Sequence, residues 1–218
     1  MMKMLMRLAT MTASFVLVAV TAHAGSFQVT LDTSGLSGPQ TLGFGLTNFD
    51  GSSNTVTLSD FDFDSGSAVA GSEDCTLGGT FSGLGCSGDL TSGVVLTDLD
   101  PVAAFFTQQF NPGASLSFVL TATNNFGGGI PDQFSMFLCD AAMSACYSDD
   151  ASGALLLLDL VGGTLSPASF VAFGATDPSV ASPAVTAVPE PATLLLVAGG
   201  LLGTALQRRR RSNRLAAR

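Results

Sequence analysis

Carboxylates and cysteines are the only side chains in the central part of this chain with strong chemistry to offer. Seventeen acidic residues stand against eight basic ones, for a formal charge of −9. The basic residues all lie at the ends: Lys3 and Arg7 in front, and Arg208, Arg209, Arg210, Arg211, Arg214 and Arg218 behind. Every acidic residue falls between them, from Asp32 to Glu190, and the only histidine is His23. A segment without cations cannot neutralise phosphates, which excludes nucleic acid as a partner. It also lacks the usual general base and the usual clamps for an oxyanion or phosphate.

What carboxylates alone can do is bind a cation or hydrolyse a glycosidic bond. The run Asp60-Phe61-Asp62-Phe63-Asp64-Ser65-Gly66 has the alternating oxygens of a calcium loop. It fails as an EF-hand, because Gly66 is one place late and Gly71 stands where the bidentate glutamate belongs. Alternation equally describes a strand that buries Phe61 and Phe63 and leaves the aspartates in water. Asp60, Asp62 and Asp64 are therefore a weak calcium candidate, and no other cofactor is expected. A carboxylate-pair glycosidase would need a sugar platform, but there is no Trp, a single Tyr, and Glu73 as the only glutamate before the tail. No serine sits in a Gly-x-Ser-x-Gly elbow, and no enzyme is expected.

The four cysteines, Cys75, Cys86, Cys139 and Cys146, form two pairs eleven and seven positions apart. The spacing lacks the two-residue gaps or histidines of a zinc site. No His or Lys is available to activate a thiol. In an exported chain the local disulfides Cys75–Cys86 and Cys139–Cys146 are the expected pairing among three possible ones.

Export itself is read from residues 1–24. Lys3 and Arg7 form a positive start, Leu8 to Val20 is apolar, and Ala22-His23-Ala24 presents small residues to signal peptidase. Cleavage after Ala24 would leave Gly25 as the first residue.

The other end reads in three parts. Val188-Pro189-Glu190-Pro191 is a stiff, extended motif, since proline fixes its own φ and biases the residue before it. Residues 192–206 are uncharged and apolar, with Gly199, Gly200 and Gly203 inside. Arg208 to Arg211 follow at once, within a basic tail over 207–218. The apolar part is somewhat short of the roughly 20 residues a bilayer demands, but snorkelling arginines extend its reach. The arginines would remain cytoplasmic and act as a stop-transfer signal at the inner membrane.

These three parts in order resemble the PEP-CTERM sorting signal. The resemblance implies recognition by exosortase, a membrane-embedded cysteine protease-transpeptidase of bacteria that make exopolysaccharide. It implies membrane anchoring first, and a cell-surface or extracellular location after processing. Ser212 to Arg218 extend past the usual Arg run.

Between the two ends, residues 25–179 must supply the folded domain. Strands are expected at Ser26–Asp32, Thr41–Thr47, Thr55–Phe63, Gly93–Thr97, Ala103–Phe110, Ser115–Thr123, Gln133–Cys139, Ala154–Leu160 and Ser169–Phe173. Phe27, Val29 and Leu31 alternate on one face, as do Leu116, Phe118 and Leu120. Turn residues separate the runs: Ser34-Gly35, Asp50-Gly51, Asn111-Pro112-Gly113, Gly127-Gly128-Gly129 and Gly162-Gly163. About nine short strands with regular breaks point to an all-β, antiparallel β-sandwich of jelly-roll type. The phrases Leu58 to Asp62 and Leu96 to Asp100 are alike but too brief to form a repeat. Val180 to Ala187, with Pro183, reads as an extended linker.

Two functions fit these readings. One is a structural or interaction protein of the envelope or matrix, associated with exopolysaccharide. The other is a calcium-assisted carbohydrate-binding or adhesin module.

Overall fold

The computed structural model describes residues 25–76, 85–98, 103–176 and 180–188. The expected leader, its cleavage residues Ala22 and Ala24, and the tail from Pro189 onward lie outside the described residues. Among the described residues twelve strands lie in two antiparallel six-stranded sheets, and there is no α-helix.

In chain order the strands are β1 (Gly25–Asp32), β2 (Gln40–Thr47), β3 (Thr55–Asp62), β4 (Ser67–Ala68), β5 (Cys86–Asp89) and β6 (Gly93–Thr97). The second half holds β7 (Ala104–Asn111), β8 (Ser115–Ala122), β9 (Asp132–Asp140), β10 (Ala154–Leu160), β11 (Phe170–Ala172) and β12 (Ala184–Ala187). One sheet runs β12-β1-β8-β3-β6-β5 and the other β11-β10-β9-β2-β7-β4. The pairing is nested: β1 lies against β8, β2 against β7 and β3 against β6. A long hairpin rolled up on itself produces this order, with strands alternating between the sheets from β1 to β5 and from β6 to β9, while β9, β10 and β11 stay in one sheet.

Period-two side chains decide which face is inside. Phe27, Val29, Leu31, Leu116, Phe118 and Leu120 are all buried, each from an alternating run. Phe44 occupies the centre, within ring contact of Phe106 and Phe134 on its own sheet and of Phe118 and Phe61 opposite. Strand β2 is buried on both faces. Its inward residues are Leu42, Phe44 and Leu46. On its outer face Gly45 leaves room for the Phe105 ring and the Ser135 hydroxyl, which a Cβ there would strike. Phe105 and Phe137 meet above this strip at 5.7 Å between ring centres.

All nine expected strands are present, with ends shifted by a residue or two. Three more appear, and one corrects the sequence reading. The stretch taken as a linker carries β12, which pairs with β1 from Phe27↔Ala187 to Thr30↔Ala184. Val180 is buried in the core. Val185 is the one large apolar residue of this edge strand, and its neighbours Ala184, Thr186 and Ala187 are small and exposed. Both disulfides are formed. Cys75–Cys86 joins edge strand β5 to the segment after β4, whose Asp74 bridges to Thr107 on the opposite sheet. It therefore ties the two sheets along an open edge. Cys139–Cys146 closes the turn after β9.

Candidate functional site

Strand directions divide the surface into two ends of different chemistry. β1 begins, and β12 finishes, at the end where β2, β6, β8 and β10 finish and β3, β7 and β9 begin. Both chain exits are there: Val188 donates its N–H to the Ser26 carbonyl. We call this the exit end. It is built from the loops 48–54, 123–131 and 161–169.

A buried polar knot binds these loops. The Asp132 carboxylate is fully buried and accepts four hydrogen bonds. The Phe49 and Asp50 N–H groups donate to its Oδ1 at 2.8 and 3.2 Å. The Ser52 hydroxyl and the Asn54 amide donate to its Oδ2 at 3.1 and 2.7 Å. Asn54 in turn accepts from the Asn125 N–H at 2.8 Å and donates to the Asn125 carbonyl at 2.9 Å. Asp50 accepts from the Gly127 N–H at 2.7 Å. Asn124 donates to the Gly163 carbonyl and accepts from the Gly162 N–H, which brings in the third loop. An acceptor with four donors can replace the water that these loop amides would otherwise need.

Asp98 completes the knot and is its exception. It is 1% exposed, and its Oδ1 accepts the Asn54 N–H. Its Oδ2 is buried and receives no hydrogen bond. Burial pushes its pKa up to about 7, and the neighbouring Asp132 and Asp50 charges push the same way. A carboxyl that is buried and short of donors keeps its proton more readily than one in water, and Asp98 is in that position. At Asp50 burial works upward too, but the Ser52 and Gly127 donors outweigh it and hold its pKa below the usual value.

Around the knot the surface is apolar. Phe49 is 53% exposed, Phe126 43%, Ile130 67% and Val161 53%. Only Met143 and Val171 among the described residues are comparable large exposed apolar side chains elsewhere.

Asp159, next to the last residue of β10, is exposed at the exit end and accepts from the Gln133 amide. The opposite end carries most of the exposed acids. Asp32, Asp62, Asp64, Asp89, Asp140 and Asp150 are at or toward it, and most cap the turn that follows them. Asp89 accepts from Thr91 and Ser92, which holds its pKa down to about 2. Asp140 accepts from Ser144 and Ala142, and Asp150 from Ser152. Hydrogen bonds from those serines lower both pKa values.

The calcium candidates Asp60, Asp62 and Asp64 are on this side and exposed. A bulge between Ser59 and Asp62 puts Asp60 in the left-handed region, at φ 54°. Phe61 and Phe63 turn inward, onto Phe118 and Phe110. Asp62 accepts from the Asp64 N–H, and Asp64 from the Ala114 N–H. Among the described residues no group of three or more His, Cys, Asp or Glu stands together as a metal ligand set.

Sequence reasoning passed over Asp98 and Asp132. Asp132 follows Pro131 at the head of an apolar strand, and Asp98 closes one. Both are positions where a carboxylate can meet loop amides, which is the signal that was there to be used.

The tail is explained by comparison with known proteins. Residues 187–211 match the PEP-CTERM protein-sorting motif. The chain carries a PEP-CTERM sorting signal. The match begins at Ala187, the last residue of β12, and closes on Arg211 at the end of the Arg run, leaving Ser212 to Arg218 beyond it. The motif marks an exported chain whose C-terminus is a membrane-anchoring signal for exosortase-dependent sorting. No curated protein and no solved structure matches the chain.

Proposed function

We propose that this protein is a structural or interaction component of the cell envelope or extracellular matrix, delivered by its PEP-CTERM signal. Signal peptidase removes residues 1–24. Residues 192–206 hold the chain in the inner membrane, with the arginines on the cytoplasmic side. Exosortase cuts near Pro189-Glu190-Pro191, and the β-domain, a jelly roll in our reading, passes to the cell surface or the medium, where exopolysaccharide is its setting.

The observation that carries this reading is the position of the sorting motif. It starts at Ala187, the last residue of β12, so the signal follows directly on the last strand of the described domain. Cleavage there severs no strand pairing, because the last ladder partner is Ala187. A non-catalytic role accords with the lack of Lys, Arg and His from residue 25 to residue 207. The structural role ranks above calcium-assisted carbohydrate binding because Asp62 and Asp64 spend oxygens on backbone amides, Asp62 on that of Asp64 and Asp64 on that of Ala114.

The test is mass spectrometry of the C-terminus of protein recovered from its native cells, with and without exosortase. We expect a terminus within residues 188–191 in the first case and an intact Arg218 in the second. Arg218 retained in both would overturn the reading.

A further inference from the structure

The apolar loops at the exit end need an occupant, and the length of chain beyond them identifies it. We propose that Phe49, Phe126, Ile130 and Val161 form a lipid-facing surface, on which the β-domain rests against the bilayer while the tail is in place. The proposal rests on the reading of residues 192–206 as the membrane anchor.

Three observations carry it. First, the tether is short and leaves from the same end. Val188 is fixed to Ser26 at the exit end, and only Pro189, Glu190 and Pro191 separate it from apolar Ala192. At most about 3.5 Å per residue, that span reaches about 14 Å, about twice the headgroup layer of one leaflet, so even fully extended it holds the exit end within about 10 Å of that layer's outer face. An anchored domain therefore has its exit end at the lipid surface.

Second, this is the end with exposed apolar side chains. Phe49 flanks the buried Asp132, Ile130 lies two residues before it, and Phe126 packs beside Gly162, next to Val161.

Third, the charges are arranged for it. At this end Asp98 and Asp132 are buried, and Asp50 is half-buried and hydrogen-bonded to Gly127. The exposed acids of the turns lie toward the other end. An eight-residue strand is about 26 Å long, some three screening lengths at physiological ionic strength. Most of the domain's acids are thus kept from anionic headgroups without any cation to offset them; the exception is Asp159, exposed near the finish of β10 and accepting from the Gln133 amide at 2.8 Å.

The contact need not be strong. A tether of a few residues holds the loops at an effective concentration in the millimolar range, so a weak lipid affinity suffices. Once the tail is cut, that advantage goes, and the same surface no longer retains the domain.

The chain contains no Trp, so a single introduced Trp reports on one place. The full chain would be reconstituted into phosphatidylethanolamine–phosphatidylglycerol vesicles as three variants, Phe49→Trp, Ile130→Trp and, at the far end, Met143→Trp. Melting curves check that each is folded. Lipids brominated near the headgroup should quench Trp at 49 and 130 several-fold more than Trp at 143. Chain that floats with the vesicles while all three are quenched alike would overturn the proposal and leave the anchor standing. Chain that does not float would overturn both. Emission shifted to the blue without bromine quenching would mean that a second copy, and not lipid, covers the surface, and it too would overturn the proposal.

Discussion

The two ends of this sandwich handle the same side chain in opposite ways. At the exit end aspartates go inward: Asp132 collects four donors from the loop 48–54, and Asp98 keeps one oxygen with none. At the far end aspartates stay in water and accept from the turn residues just after them, as Asp89 does from Thr91 and Asp140 from Ser144. One end is held by buried carboxylates shared between loops, the other by exposed caps, by backbone bonds such as that from Thr33 to Ala114, and by the Cys139–Cys146 bond. An acidic domain without cations can place a carboxylate inside only where backbone and amide donors converge. The nested strand order gathers several connecting loops at the exit end and so supplies that convergence.

The largest expected effect comes from breaking the knot. Asp132→Ala strips four donors of their acceptor in a buried place. It should cost about 3–5 kcal/mol in denaturant unfolding, the range for removing one member of a buried charged network. Asp140→Ala, which frees only exposed donors, should cost much less. Equal losses at the two sites would erase the distinction between the ends.

The next effect is pH dependence, and its sign differs between the ends. Asp98, with its pKa raised to about 7, holds a proton in the folded state that the unfolded chain has already lost. Its contribution is present in full below about pH 4 and falls away as the pH rises to about 7. The far-end acids behave in reverse. Asp89, held down to about 2, contributes above the ordinary carboxylate range and loses its contribution as the pH falls from about 4 toward 2. Stability should therefore peak near pH 4–5. Asp98→Asn should flatten the alkaline side, with a gain at pH 8 of up to about 4 kcal/mol. Parallel curves for the variant and the parent from pH 4 to 8 would refute the assignment of the proton.

Reduction separates the ends a third way. Opening Cys139–Cys146 should cost about 2–3 kcal/mol through the freed chain entropy. Hydrogen exchange should quicken at Asp140 and Met143 of the far-end turn, while the amides of Phe49 and Asp50, which donate to Asp132, stay protected. Loss of protection at both ends together would show that the sandwich opens as one unit.

How legible these features were followed from how local their causes are. β1 and β8 are readable because Phe27, Val29 and Leu31, and Leu116, Phe118 and Leu120, alternate against polar neighbours. The disulfides are readable because each pair is close in sequence and export favours oxidation. β12 is not, because Ala184 to Ala187 carries little apolar pattern and owes its state to β1, over 150 positions away. The knot is not, because Asp98 and Asp132 differ from the turn-capping aspartates only in what the folded chain brings to them. The run Asp60 to Asp64 attracted attention for its spacing, yet the bulge at Asp60 sets its geometry and is invisible in the alternation.

The smallest effect concerns backbone alone. Met143 lies in the far-end turn with φ at 54°, a left-handed conformation that costs a side chain with a Cβ about 1 kcal/mol or more. Its N–H donates to the Asp140 carbonyl, so the turn must keep this shape, and its side chain is 39% exposed and little used for packing. Met143→Gly removes the strain but gives the unfolded chain more freedom, which returns part of the gain. The net expectation is about 0.5 kcal/mol of added stability, read as a small rise in melting temperature. The same substitution made with Cys139–Cys146 reduced should gain less, because the turn would then relax without it. An equal gain in both states would mean that the disulfide and the left-handed residue act independently, and that the far end is a set of separate local caps with no shared constraint.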